Sequence, residues 1–348
     1  MKEIFKGVKI VELASVLAGP AVGMFFAELG AEVIKIENAT TGGDVTRSWK
    51  LPSEPQDAVD SAYFHSVNYG KTHLFFDLEN PEDQQKTLDL LRGCDVVISN
   101  FKDTSAQRLG VDYARLKAFN PKIIYAQLYG YDATDDTPAF DVVLQAETGF
   151  MQMNGERGGK AVKMPVALID ILAAHQLKEG ILIALLQRER TGLGTFVSTS
   201  LYESAVASLA NQATNWLVAQ HIPQRIGSEH PNIAPYGDVF DTADNLQIVL
   251  ACGTERQWKN LCAALNLPDL KIDNLFKTNA LRVQNRQKLL SILRGCIGAF
   301  ERDNLLDLLK KNNVPAGAIR AMNEVFAHPL AKGMILEKQV RTVAFNIV

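Results

Sequence analysis

VKIVELASVLAGPAVGMFFAELGAEVIKIE, residues 8–37, decides the fold of this 348-residue chain. Two runs rich in apolar and β-branched residues, 8–14 and 31–37, flank an apolar run with Pro20 near its start and Gly30 at its end. Pro is favoured at the first position of a helix and Gly just after its last turn. We therefore predict a strand–helix–strand unit whose helix has Pro20 as its first residue.

The same alternation continues to about residue 220. Further strands are predicted at 72–78, 94–100, 122–131 and 195–201, and helices at 81–93 and 203–220. Strands that alternate with helices favour a parallel sheet covered on both faces. We predict an α/β fold with a doubly wound, mostly parallel, Rossmann-like sheet.

The composition of the sequence and the pattern of its predicted elements change after residue 222. A loop rich in Pro, Gly and His (221–238) leads to a short apolar run at 246–253, and three charge-dotted helical stretches follow up to residue 313. We interpret 223–325 as a smaller α+β domain. Residues 1–222 are interpreted as a larger Rossmann-like domain to which 326–348 return, because the chain exceeds the usual size of one domain.

Composition argues against several classes of partner. A formal net charge of −3 is unlike a surface for nucleic acid or anionic membrane. The four cysteines and six histidines have no metal-ligand spacing, and no uncharged apolar run is long enough to span a bilayer. The absence of a CxxC motif and of a signal-peptide core predicts a reducing cytoplasm. We expect a small-molecule partner, and no metal, membrane or nucleic acid.

A nucleotide site is the first hypothesis for such a strand–helix–strand start, but its fingerprint is absent. The turn after the first strand carries only Gly19 and Gly23, with a proline between them, instead of GxGxxG. The GLG at 192–194 precedes a predicted strand, and the phosphate-binding sequence GxxxxGK[ST] does not occur. We predict that the chain binds neither NAD nor ATP and uses no cofactor.

One carboxylate interrupts an apolar stretch, MPVALIDILAAHQLKEGILIALL (164–186). Val166 and Leu168 are interpreted as a strand and the residues from Ile171 onward as a buried helix, which places Asp170 at a buried turn. Burying an unpaired carboxylate is costly. Asp170 is therefore either the N-cap of the following helix or a reactive group, and its position alone does not decide between these interpretations.

Several segments carry a family resemblance over nearly the whole chain. They are LAGPAVGMFFAELGAEVIKIE (17–37), GGDVTR (42–47), NYGKTHLFFDL (68–78), SNFKDTSAQRLG (99–110), NPKIIYAQLYGY (120–131), AFDVVLQAETGFMQMNG (139–155), VALID (166–170), ALLQRERTGLGTFVSTSLYES (184–204), HPNIAPYGDVFDTADN (230–245) and RVQNRQKLL (282–290). In this order they resemble the class III coenzyme A transferases, a family that includes formyl-CoA:oxalate and carnitine CoA-transferases and α-methylacyl-CoA racemase.

The resemblance implies a reaction and an assembly. Asp170 aligns with the family's nucleophile, which attacks an acyl-CoA thioester to form a mixed anhydride and then an aspartyl-CoA thioester. Acyl-CoA and a free carboxylic acid are the implied substrates, and no metal or redox group is required. The apolar residues at the site favour succinyl-CoA or another short acyl-CoA as donor, and a small dicarboxylate or branched acid as acceptor. Members of the family form interlocked homodimers, so we expect one here.

The resemblance also implies a CoA site. Because Asn38 stands where an arginine often contacts the CoA phosphates, Lys35 or Arg47 is expected to supply that charge. Asp141 is expected either to lie near Asp170 and raise its pKa or only to cap the helix at 142–153. The implied CoA-binding residues are Leu17, Ala18, Asn38, Phe76, Asp77, Leu78, Glu79, Asn100, Phe101, Lys102, Arg108, Ala139, Phe140 and Asp141.

Two alternatives remain open. A racemase of this family needs a second base, and its histidine falls at Phe140, whose ring accepts no proton. His175 is expected to be a core histidine and no substitute for that base. A CoA-binding paralogue without activity is the other alternative.

Overall fold

The computed structural model describes residues 3–135 and 137–347, which form two compact units. The larger unit comprises the chain up to Met151, Lys163–Ile222 and the segment from Lys332 onward. Its strands up to residue 222 are β1 (Lys9–Glu12), β2 (Glu32–Asn38), β3 (Lys71–Phe76), β4 (Val96–Ser99), β5 (Ile124–Tyr129) and β6 (Phe196–Ser200).

The helices of this part of the chain lie mainly between successive strands. They are α1 (Ala18–Glu28), α2 (Ala62–His65), α3 (Pro81–Arg92), α4 (Asp103–Leu109), α5 (Tyr113–Phe119), α6 (Asp141–Glu147), α7 (Phe150–Met153), α8 (Leu168–Thr191), α9 (Leu201–Ala207) and α10 (Ala210–Ala219), with 3-10 turns at Ala39–Thr41 and Val45–Ser48.

The six strands form one parallel sheet in the order β3-β2-β1-β4-β5-β6. The predicted doubly wound α/β fold is thereby confirmed. Strand order reverses between β1 and β4, and at such a switch point the chain leaves the two strands in opposite directions, which opens a crevice at their carboxyl ends.

Alternate strand residues pack into two cores on opposite faces of the sheet. Ile10 and Ile98 belong to the core beneath α1 and α8, whereas Val11 and Val97 belong to the core beneath α3 and α5. Gly23 allows α1 to approach this sheet closely, because a Cβ there would lie 1.9 Å from a Glu12 carboxylate oxygen.

Three predicted boundaries are wrong. Helix α1 begins at Ala18, so Pro20 is its third residue, still within the first turn, where the missing N–H costs no helical hydrogen bond. The helix predicted at 203–220 is two helices, with Ala210 at φ +47° where the second begins. Residues 166–168 are not a strand, because α8 already begins at Leu168.

The last part of the chain returns to the larger unit. After α17 (Pro329–Lys332), the short strands β10 (Ile335–Leu336) and β11 (Gln339–Val340) pair with each other. The backbone N–H groups of Thr342 and Val343 then donate to the Glu28 carboxylate at 2.6 and 3.2 Å. Val343 is buried in the core that contains α1.

The smaller unit comprises Gln152–Val162 and Pro223–Ala331. Residues 152–162, assigned to the larger domain from the sequence, belong here because Arg225 donates to the carbonyl oxygens of Gln152 and Gly159. Five helices precede the last strand instead of the three stretches predicted. The elements are β7 (Tyr236–Asp241), β8 (Gln247–Ala251), α11 (Glu255–Ala264), α12 (Pro268–Ile272), α13 (Asn279–Gln284), α14 (Arg286–Ile297), α15 (Arg302–Lys311), β9 (Ala316–Ala318) and α16 (Met322–Ala327).

An antiparallel sheet in the order β7-β8-β9 packs with these helices around a core that includes Phe240, Trp258 and Leu289. Within residues 3–135 and 137–347, no helix combines the length and apolar content needed to cross a bilayer.

Candidate active site

Two loops meet at the switch point of the parallel sheet. The turn 14–18 leaves β1, and Asn100 follows β4. The Asn100 amide group clamps Ser15, because its oxygen accepts from the Ser15 N–H at 3.3 Å and its nitrogen donates to the Ser15 carbonyl at 3.1 Å. The backbone of both loops is therefore fixed at the place where parallel α/β sheets bind ligands.

Asp170 lies in the first turn of α8, and its residue is only 8% exposed. Ala167, not Asp170, is the N-cap of this helix, so the cap interpretation is wrong. Within the described residues, no hydrogen-bond donor reaches the Asp170 carboxyl group. Burial, and secondly the negative charge of Asp141, raise the pKa of Asp170 to about 7.

Asp141 acts on the turn that carries Asp170. Its Oδ1 accepts from the Ile169 N–H at 2.7 Å, and its Oδ2 accepts from the Gln145 side chain at 2.6 Å. Asp141 is the first residue of α6, yet its carboxylate accepts from the first turn of α8, whose N-cap residue Ala167 has no side-chain acceptor. Neither interpretation from the sequence had included this contact. Its charge lies close enough to oppose the ionisation of Asp170.

A cavity of about 400 Å³ opens at Asp170. Asp141 does not line it. The residues predicted from the sequence that surround it are Leu17, Ala18, Asn100, Phe101, Lys102, Ala139, Phe140 and Asp170.

A second cavity, of about 460 Å³, adjoins the first, since Ser15 and Phe101 line both. It extends over the carboxyl ends of β2 and β3. The predicted residues around it are Asn38, Phe76, Asp77, Leu78, Glu79, Phe101 and Arg108.

Two cations expected at the CoA phosphates are engaged elsewhere. Lys35, 1% exposed, lies between Glu12 and Asp44 at 2.9 and 3.0 Å. Arg47 is paired with Glu37 at 2.5 Å and also with Asp60. Neither guanidinium nor ammonium group is available to a ligand, so the expectation for Lys35 and Arg47 is wrong.

The exposed cation of the larger cavity is Arg108, which pairs with Glu79 at its rim. Asn38 also lines this cavity, but its side chain oxygen is occupied by the N–H and hydroxyl of Thr40 at 2.9 and 2.8 Å. Asn38 therefore caps the 3-10 turn that follows β2.

Several contributing residues had no signal in the sequence. Gln127 on β5 donates to the Phe101 carbonyl at 2.8 Å and Ser99 accepts from the Phe101 N–H at 3.1 Å, so both position the loop after β4. Burial, and then the charges of Asp170, Asp141 and Asp44, raise the pKa of the Tyr63 phenol to about 12. The phenol therefore stays protonated at neutral pH, although Tyr63 does not line the cavity of Asp170.

In the described part of the chain, backbone N–H groups at the start of α8 are engaged within the protein, whereas those at the start of α1 are not. On α8 the Ile169 N–H is bonded to Asp141 and the Ile171 N–H to the Ala167 carbonyl at 3.2 Å. Helix α1 has no side-chain N-cap. Within the described residues, the N–H groups of Ala18 and Gly19 in its first turn have no acceptor, and Ala18 lines the cavity of Asp170.

Other groups do not take part in the cavity. His175, expected in the core, is exposed on α8. Among the described residues, no three His, Cys, Asp or Glu side chains are grouped as metal ligands.

This geometry can be compared with known proteins. The profile of CoA-transferase family III matches residues 5–346. The chain belongs to CoA-transferase family III. A succinate–glutarate CoA-transferase of Agrobacterium fabrum is 37% identical to it over 334 residues, which are 94% of this chain and 83% of that protein. The human succinyl-CoA:glutarate CoA-transferase is 34% identical over 343 residues, 97% of this chain and 77% of the human protein.

A solved structure supports the same assignment. The crystal structure of a CaiB/BaiF family protein from Brucella suis matches with a TM-score of 0.88 and 36% identity, covering 99% of this chain and 93% of that one. The protein is thus an enzyme, a CoA-transferase, and the predicted family resemblance is confirmed.

Proposed function

We propose that this CoA-transferase moves coenzyme A from succinyl-CoA, or a similarly short acyl-CoA, to a small dicarboxylic acid through covalent intermediates on Asp170. The observation that carries the proposal is the Asp170 carboxyl group, buried, without a hydrogen-bond donor among the described residues, and lining a cavity. A carboxylate held only for stability would be paired.

The Asp170 carboxyl group is the one protein group that forms covalent bonds in the proposed reaction. Its carboxylate attacks the thioester carbonyl carbon, the C–S bond breaks, and CoA thiolate leaves a mixed anhydride. The thiolate then attacks the Asp170 side-chain carbonyl and releases the first acid, which gives an aspartyl-CoA thioester. The acceptor carboxylate attacks the carbonyl carbon of this thioester, the C–S bond breaks, and CoA thiolate leaves a second mixed anhydride. The thiolate finally attacks the acceptor's acyl carbon in that anhydride, which forms the acceptor's CoA thioester and frees the Asp170 carboxylate.

Burial of Asp170 assists the first step. The ionised form is disfavoured in the folded protein, as its pKa of about 7 indicates. Acylation converts the negatively charged carboxylate into a neutral anhydride, so the cost of burying the charge is removed. Limited access of water also protects both intermediates from hydrolysis.

Neighbouring groups suit the developing oxyanions. The N–H groups at the start of α1 are donors at the wall of the cavity that contains Asp170. Donors aimed at developing charge in a buried site stabilise tetrahedral intermediates.

We propose that the CoA moiety spans the two adjoining cavities. Its thiol end would lie at Leu17, Ala18 and Asp170, and its nucleotide end over Phe76–Glu79, beyond Asn100 and Phe101. Arg108 would exchange Glu79 for a phosphate, since the paired arginine is exposed at the rim.

The choice of acids rests on the cavity and on the relatives. Leu17 and Phe140 give the cavity of Asp170 an apolar wall, which does not suit oxalate. Both relatives are named as CoA-transferases that act between succinate and glutarate. We therefore propose succinyl-CoA as donor and a C4–C6 dicarboxylate as acceptor, in a cytoplasmic setting.

We also propose a homodimer, interlocked as the family resemblance implies. Helix α10 has no buried residue, and Trp216, Leu217 and Val218 are 45%, 72% and 80% exposed. A row of apolar side chains on one short helix is typical of an interface.

The test is mass spectrometry of the intact protein after mixing with succinyl-CoA. The expected result is a mass increase equal to CoA less one water, which is absent in Asp170→Ala and which glutarate removes as glutaryl-CoA. Rapid transfer by Asp170→Ala without an adduct would refute the covalent mechanism.

A further inference from the structure

Val16, in the turn that follows β1, has a backbone conformation that valine rarely adopts. Its φ is +73°, in the left-handed region. The other non-glycine residues with positive φ in the described chain are Ala, Gln, Asn and Glu, so Val16 is the one β-branched residue among them. A β-branched residue at positive φ is a genuine outlier, and such residues concentrate at functional sites.

A buried carboxylate holds this conformation. Asp44 accepts a hydrogen bond from the Val16 N–H, with Oδ2 at 3.2 Å and Oδ1 at 3.4 Å. The Asp44 side chain is 1% exposed. It is oriented by the N–H and hydroxyl of Thr46 at 3.0 and 2.8 Å, which bond its Oδ1.

Asp44 is one end of a buried ion cluster, which we define as Asp44, Lys35, Glu12 and Lys71. Lys35 lies 3.0 Å from Asp44 and 2.9 Å from Glu12, and Lys71 lies 2.8 Å from Glu12. All four side chains are at most 1% exposed.

The cluster also bonds the backbone on both sides of Val16. Lys35 donates to the Ala14 carbonyl and Lys71 to the Pro20 carbonyl, the latter at 2.8 Å. The turn and the first residues of α1 are therefore tied to the sheet by charged groups at three points.

Burying the four charged side chains of the cluster has a desolvation cost, and a contribution to the stability of the fold does not by itself explain why the protein bears it. Buried ion pairs are weakly stabilising or neutral relative to apolar residues of the same volume. The turn it holds, however, places Leu17 and Ala18 on the wall of the cavity that contains Asp170. If Val16 relaxed to negative φ, the peptide that follows it would rotate and this wall would move.

We propose that Asp44 is a positioning residue for CoA transfer: it holds Val16 at positive φ so that the backbone of Leu17 and Ala18 stays against the reacting carboxyl group. The inference rests on the proposed function in one respect, that Asp170 is the reacting group. Asp44 itself contacts no substrate in this scheme.

The test is a double-mutant cycle of Asp44→Asn and Val16→Gly. Asn keeps the size of Asp44 but loses the charge that Lys35 and the Val16 N–H share. Glycine occupies positive φ without strain. With glycine at position 16, the hydrogen bond to Asp44 is therefore less necessary for keeping φ positive. We expect Asp44→Asn to lower kcat by about tenfold in the wild-type background and by less than threefold with Val16→Gly, with a smaller change in KM for the acyl-CoA.

Asp238→Asn is the matched control. Asp238 is an equally buried carboxylate, paired with Arg286 at 3.1 Å in the smaller unit, so its substitution should lower the melting temperature without any dependence on residue 16. A kcat loss for Asp44→Asn that is the same in both backgrounds, or that follows the unfolded fraction, would overturn the proposal.

The two proposals fail separately. If Asp170→Ala still transferred CoA without an adduct, the nucleophile assignment would fall. The coupling between residues 44 and 16 would still be read from kcat of the Asp170 enzyme.

Discussion

The Oδ1 atom of Asp141 accepts a hydrogen bond from the Ile169 N–H at 2.7 Å. Ile169 directly precedes Asp170, so one carboxylate fixes the turn that carries the other. At the same time the charge of Asp141 opposes the ionisation of Asp170. Asp141 therefore stabilises the turn that carries Asp170 and, at the same time, makes the reactive ionised form of Asp170 less favourable.

Asp170→Asn should abolish CoA transfer and stabilise the protein at pH 8. The pKa of Asp170 is raised from 3.8 to about 7, which corresponds to a cost of at most on the order of 4 kcal/mol for the ionised side chain. The amide does not carry this cost. Urea unfolding at pH 8 should show a higher midpoint for the variant, and near pH 4, where Asp170 is protonated in the folded state, the gain should vanish. An equal gain at both pH values would show that relief of the charge is not its cause.

The rate of CoA transfer should depend on pH through Asp170. The attacking form is the carboxylate, so kcat/KM should fall about tenfold per pH unit below pH 7 and level off above it. The stability contribution has the opposite sign: it is fully present below pH 4 and is lost as the pH rises through 7. A flat kcat/KM between pH 5 and 8, with the enzyme folded throughout, would contradict the assignment.

Asp141→Asn and Asp141→Ala should separate the two roles of Asp141. Asn keeps an acceptor for the Ile169 N–H and removes the charge, so the pH profile should shift to lower pH with a small loss of stability. Ala removes this acceptor as well and leaves the side-chain NH₂ group of the buried Gln145 with only the Met164 carbonyl at 3.4 Å, at a cost of about 2 kcal/mol. Kinetic pH profiles and urea unfolding measure both. Identical profiles for Asp141→Asn and the wild type would show that the charge has no influence.

The enzyme should not exchange the α-proton of 2-methylacyl-CoA esters. Phe140 lines the cavity of Asp170 and provides no base, and His175 is exposed outside the residues that line it. Deuterium incorporation in heavy water measures the exchange, with CoA transfer as the positive control. Rapid enzyme-dependent incorporation without transfer would favour a racemase.

Leu217→Glu should convert a dimer into a monomer at micromolar concentration. Leu217 is 72% exposed on α10, and a carboxylate buried at an interface without a partner is strongly unfavourable. Light scattering measures the mass. Ile272→Glu is the control, because Ile272 is 74% exposed in the smaller unit. An active wild-type monomer would contradict the proposed dimer.

The fold could be predicted because its information is local. The strand–helix–strand pattern from Val8 to Glu37, and the alternation of strands and helices that continues after it, predict a parallel sheet. The start of α8 could not be predicted, because the acceptor of its Ile169 N–H, Asp141, belongs to another helix and becomes its neighbour only after folding. The same reason hides the buried ion cluster: Glu12, Lys35 and Lys71 lie on three separate strands, and only the assembled sheet brings their charges together.

The return of the chain to Glu28 has a consequence for synthesis on the ribosome. The N–H groups of Thr342 and Val343 bond a carboxylate made more than 300 residues earlier, whereas every residue of the smaller unit has been made by residue 331. The smaller unit can complete its core during translation. The larger unit, although its six parallel strands precede most of the smaller unit in the chain, reaches its final packing last.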